Sequence, residues 1–161
     1  MTNKAMNTYL NDHLAGAMLG SSLAKQIHDR HQGSRLGSVI GPLAVEIEED
    51  RQTLLDLMER MGTSQNPVKQ ALGWIAELTS RIKFSGLGSG SSDHGAFMAL
   101  ESLALGVEGK LSMWKALQGV ADRHPPLAET DLDGLLARAQ AQREILERER
   151  LTAAGEALSG G

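Results

Sequence analysis

The stretch LAVEIEEDRQTLLDLMERM, Leu43 to Met61, decides the fold. Traced back to Leu36, its seam runs Leu36, Ile40, Leu43, Ile47, Asp50, Leu54, Leu57 and Met61, in alternating steps of four and three. Every position on it is Leu, Ile or Met except Asp50. A seam of that period faces other helices inside a bundle. A carboxylate placed there is costly unless it has a partner or a proton. Asp50 is therefore where a function would show.

Outward from this segment the chain reads as helices. The first is expected over residues 8–31, with Leu10, Leu14, Ala17, Ser21 and Ala24 at helical spacing and Met18, Leu23 and Ile27 widening the face. Its middle is crowded with Ala15, Gly16, Ala17, Gly20, Ser21 and Ser22, and small side chains admit a close neighbour. The second covers 35–61, with Pro42 inside it as an expected kink and Gly62 as its stop. Only a short link around Gly33 separates the two, which makes them an antiparallel hairpin. Asn66-Pro67 opens a shorter amphipathic helix over 67–84, carrying Trp74, and a glycine-rich linker follows over 85–94. The third long helix is expected over 95–122, with Leu100, Ala104, Val107, Leu111, Trp114 and Leu117 inward. After the corner His124-Pro125-Pro126, Thr130 and Asp133 stand at capping-box spacing. The fourth covers 131–157, with Leu132, Leu135, Ala139, Gln142, Leu146, Glu149 and Ala153 on its seam. The expectation is one all-α domain over 1–161, built as a four-helix bundle with a long crossover.

Composition narrows the function. At 161 residues the chain is long enough to bury a core, and its net charge of −4 is spread without a basic stripe. That argues against nucleic-acid binding, which needs clustered Lys and Arg. With no cysteine there is no disulfide, thiolate metal site or cysteine nucleophile. The start MTNKAMNTYLNDH lacks the features of a signal peptide, and no stretch has the roughly 20 apolar residues of a membrane span. A cytoplasmic protein is expected.

Two antiparallel helix pairs joined by a long crossover resemble the ferritin-like superfamily. That resemblance implies a possible di-iron centre, built from one Glu on each of two helices and Glu-x-x-His on each of the other two. The residues depart from the pattern. Helix one has no carboxylate or histidine between His13 and His28. Helix two offers Ile47 and Asp50, or Glu46 and Glu49, at the required spacing. Three residues beyond Glu101 and Glu108 stand Ala104 and Leu111, and helix four has no histidine. An intact centre is not expected. The hairpin registers do bring His13, Asp50, Glu108 and Gln142 to one level. These are the candidate ligands should iron or manganese bind, with Glu46, Glu49 and Glu101 behind them. The expected arrangement is instead a satisfied polar network in which Arg51 or Arg143 neutralises the acids.

The remaining motifs carry less. His28 and His31 suit the end of the first helix, where cations complement the dipole. Gly86, Gly88 and Gly90 lack the strand and lysine of a phosphate loop, and Ser91, Asp93 and His94 are too crowded in one loop to form a triad. The expected function is a non-enzymatic structural or interaction protein, a ferritin-like bundle without its metals, paired as a homodimer partly through the crossover helix and Trp74. The alternatives are a di-metal oxidase with an unusual carboxylate-rich site, and a small-molecule binding module walled by the Gly/Ala middle of helix one.

Overall fold

The computed structural model describes residues 3–66 and 93–159. Four long helices make up its frame: α1 (Lys4–Arg30), α2 (Arg35–Arg60), α3 (Asp93–Gln118) and α5 (Leu132–Leu158). A 3-10 turn (Ala121–Arg123) and the single-turn α4 (Pro125–Ala128) form the corner before α5. No strand occurs among the described residues. The expected crossover helix 67–84, Trp74 and most of the linker 85–94 lie outside them, so the part of the dimer expectation that rests on that helix does too.

Helix boundaries follow local chemistry. Asn3 caps α1, its side chain accepting from the Met6 N–H at 2.8 Å, and so starts the helix four residues before Thr8. Ser34 caps α2 through the Gly37 N–H. The α2 helix continues through Pro42, and both Pro42 and Ser38, whose carbonyl loses its partner there, are exposed. At its end Gly62 has φ +65°, with Gly62 N–H on the Glu59 carbonyl and Thr63 N–H on the Met58 carbonyl, which is a Schellman stop. Asp131, and not Thr130, caps α5, accepting from Gly134 N–H at 2.9 Å. Thr130 instead donates to the Pro126 carbonyl and accepts from Arg60. The double proline opens α4 at the position where a missing N–H costs nothing, and Leu127 behind it is buried.

Helices α1 and α2 form one antiparallel pair, α3 and α5 the other, and the pairs meet chiefly through α1 and α3. Directions are visible in the two apolar clusters. One gathers the start of α1 (Leu10, Leu14), the end of α2 (Leu54, Leu57, Met58), the end of α3 (Leu111, Trp114, Leu117) and the start of α5 (Leu132). The other gathers Leu23 and Ile27, Ile40 and Leu43, Leu100 and Leu103, and Leu146 and Ala153. Helices α2 and α3 therefore run parallel. The α2 seam is buried from Ile40 to Met61, with Leu36 half-buried. A close approach at the hairpin is set by Gly37, where a Cβ would meet the His31 carbonyl oxygen at 2.0 Å. Beside it His28 bonds through Nδ1 to the Gly37 carbonyl at 3.0 Å, so it is a hairpin tie and not only a dipole partner.

Candidate functional site

Between the two apolar clusters lies a waist of different chemistry. Asp50, on the inward seam of α2, is 3 % exposed. Its Oδ1 accepts from Arg138 of α5, through Nε at 2.8 Å and also through Nη2. Its Oδ2 accepts from Lys110 of α3 and from Gln142 Nε2 at 3.1 Å. The Gln142 carbonyl oxygen in turn accepts from Lys110, and its amide also donates to Glu46 at 3.1 Å. Arg138 reaches on to Glu49 at 2.9 Å. A buried carboxylate with cations on both oxygens satisfies the requirement that made Asp50 conspicuous.

The cations are not those the sequence suggested. Arg51 pairs with Glu48, which Ser21 also contacts, and Arg143 pairs with Glu108 at 3.1 Å. The hydrogen bonds from Arg51 and Ser21 hold the Glu48 carboxyl down at about 2. Lys110 and Arg138 were missed because neither stands on a seam. Each is one residue before a seam position, Leu111 and Ala139, and reaches inward along its stem. A cation flanking the seam of each facing helix, at the level of a seam acid, is the signal that would have found them.

Of the residues expected to converge, His13, Asp50 and Gln142 reach the waist, whereas Glu108 lies on the outside with Arg143. Glu101 is held by Arg150 at 3.0 Å. Among the described residues no group of three or more His, Asp or Glu is placed to hold a metal ion. The donors do not fit a pair of metals: both Asp50 oxygens face cations, and Glu46, Glu49, Glu101 and Glu108 each answer a protein donor.

Beside this network is a cavity of about 170 Å³. Gly16, Ala17 and Gly20 of α1 and Gly106 and Gly109 of α3 line it on two sides, with Ile47, Leu54, Leu103 and Met113 supplying apolar wall. Asp50 and Lys110 form its polar side. The small residues make the space: a Cβ at Gly16, Gly20, Gly106 or Gly109 would find nothing within 4 Å. On α1 no residue between Ala15 and Leu23 is buried, although Ala17 packs on the first apolar cluster and Ser21 reaches Glu48 of α2. The Gly/Ala middle of helix one was legible as a pocket wall; the matching glycines of α3 were not.

Three lining groups give the cavity its electrostatics. Burial pulls the Lys110 ammonium below its ordinary value, and the adjacent Asp50 carboxylate opposes that shift. Burial also lowers His13, against a smaller opposing effect from Asp12, and Tyr9 meets the imidazole edge-on at 4.6 Å. Trp114 is fully buried and its Nε1–H has no hydrogen-bond partner. In comparisons with family models, curated proteins and solved structures, nothing matches this chain.

Proposed function

We propose that this protein is a non-enzymatic binding module, a bundle of ferritin-like topology whose waist holds a small, mostly apolar molecule. The observation that carries the reading is the cavity itself. Its volume is close to the ~150 Å³ at which a protein cavity walled by apolar side chains takes up benzene. Glycine is the poorest helix former after proline, at about 1 kcal/mol each relative to alanine. Four glycines nevertheless line one space in which a methyl would meet no obstruction. The antiparallel pairs α1/α2 and α3/α5, with α2 parallel to α3, support the ferritin-like part of the proposal. Lys110 and Arg138 supply at Asp50 the positive charge that metals would bring to such a bundle.

Thermal unfolding with benzene tests the reading. Ligand at ten times its Kd should stabilise the folded state by about 1.4 kcal/mol, or roughly 3–6 °C in Tm. Ala17→Leu, which places side chain in the cavity, should abolish that response. Equal responses in both proteins, or none in the wild type across the accessible concentrations, would remove the cavity as a binding site.

A further inference from the structure

The geometry points to Lys110 as a covalent anchor: a compact apolar aldehyde enters the waist cavity and condenses with the Lys110 amine to a Schiff base, with Asp50 carrying the protons. This rests on the binding reading above and adds the chemistry that holds the ligand. Lys110 and Asp50 both line the cavity, and the walls around them are largely apolar. The Lys110 side chain is only 13 % exposed. A lysine desolvated in such a pocket is an activated amine for carbonyl compounds, because lost hydration favours its neutral, nucleophilic form. At Lys110 burial acts in that direction and Arg138 adds to it, while Asp50 and Glu46 oppose. Asp50 does not depend on Lys110 alone, since Arg138 holds its Oδ1 and Gln142 reaches its Oδ2. Its Oδ2, which Lys110 already contacts, can take the lysine proton while those bonds persist.

Size and reactivity select the aldehyde. The cavity of about 170 Å³ is near the ~150 Å³ that accepts a benzene ring. An aldehyde carbon carries a hydrogen in place of a ketone's second substituent, so it is more open to an amine held between Asp50 and Gln142. The Lys110 ammonium passes one proton to Asp50, and the freed lone pair on Nζ adds to the carbonyl carbon. The π pair moves to oxygen, which takes a second proton from the same nitrogen. Asp50 then returns its proton to that hydroxyl, which leaves as water while the nitrogen lone pair closes the C=N bond. Ammonium and aldehyde have become iminium and water, with no oxidant or reductant. The iminium keeps the positive charge and one N–H for Asp50, and Gln142 Oε1 gives up its donor.

The test gives the full chain benzaldehyde with sodium cyanoborohydride at neutral pH and maps the labelled lysines by mass spectrometry. Lys25, whose side chain is 74 % exposed, serves as the internal comparison. At low benzaldehyde Lys110 should be labelled faster than Lys25 by about tenfold or more, because the cavity holds the aldehyde against the amine. Its labelling should saturate with concentration, whereas that of Lys25 should rise in proportion. Carbonyl-labelled benzaldehyde followed by carbon NMR reads the same imine without a reductant having to enter. Ala17→Leu, which fills the cavity, should remove the Lys110 label and leave that of Lys25. Lys110→Arg, which keeps a cation beside Asp50, should retain the rise in Tm with benzaldehyde and lose the imine signal. A rise in Tm in wild type without an imine at Lys110 would overturn the covalent anchor and leave the binding site standing. A Lys110 label that does not saturate, or that persists in Ala17→Leu, would also overturn the anchor. Neither a rise in Tm nor an imine would overturn both.

Discussion

Asp50 and Glu149 are both acids on largely apolar helix seams, and the bundle treats them differently. Glu149, near the end of α5, is held by Arg35 through two hydrogen bonds of 3.1 and 2.6 Å, and that Arg35 side chain is 65 % exposed. Asp50, at mid-height, is held by Lys110, Arg138 and Gln142, from both helices of the opposite pair. One acid leans out to a cation that water can also serve. The other organises a layer in which Asp50 and Gln142 are buried, and beside it lies the waist cavity. A buried charge alone therefore does not mark a functional place; what separates the two sites is how many buried groups depend on the charge.

Substitution separates them most sharply. Asp50→Ala leaves Lys110 and Arg138 facing each other without their shared acid and should cost about 3–5 kcal/mol. Glu149→Ala releases Arg35 to solvent and should stay within about 1 kcal/mol of wild type. The leucine variants widen the contrast. Asp50→Leu restores apolar volume but still orphans two cations, whereas Glu149→Leu completes a seam and should be neutral or stabilising. Chemical denaturation of the four variants checks this, and equal costs at the two sites would erase the distinction.

Glycines give a second contrast, smaller in size. Gly37→Ala drives a methyl into the His31 carbonyl, 2.0 Å from the new Cβ, and should cost about 1–3 kcal/mol. Gly16→Ala and Gly106→Ala meet nothing within 4 Å and gain helix propensity, so each should stabilise by about 0.5–1 kcal/mol. Tm changes of opposite sign relative to wild type would check that Gly37 is required by close packing and that Gly16 and Gly106 are not.

The smallest expected effect is on pH dependence. The His13 pKa in the folded protein lies below its ordinary 6.5, lowered by burial against a weaker pull from Asp12. Asp50, Arg51 and Lys110 line the same cavity from α2 and α3. Between the two pKa values the unfolded chain binds a proton that the folded chain does not. Stability should therefore fall as pH drops through 6.5 and level off below the folded value. His13→Gln removes this component, so wild type and variant should converge on acidification, and parallel curves from pH 7.5 to 5 would refute the shift.

Much of the frame is legible in the residues because it rests on local periodicity. The α2 seam, the α3 face around Leu100, Val107, Leu111 and Leu117, and the α5 seam through Ala139, Gln142 and Leu146 all point inward as their spacing requires. Starts and stops were readable where one local signal stands alone, as with the Ser34 side chain that opens α2 and the positive-φ Gly62 that ends it, and misplaced where two candidates compete, as with Thr130 and Asp131. Asp50 was visible as an anomaly because a charge on a seam contradicts its neighbours.

The sequence by itself determined a helical bundle with Asp50 and Gln142 turned inward at mid-height, and it pointed wrongly to Glu108 beside them, which pairs with Arg143 on the outside. Only the tertiary structure decided what they meet. Lys110 and Arg138 stand beside their seams, and a long stem can carry a cation either inward or to solvent, so spacing does not distinguish the two. The cavity belongs to no single helix. It exists because the glycines of α1 and α3 fall opposite one another across an interface whose register local sequence does not encode.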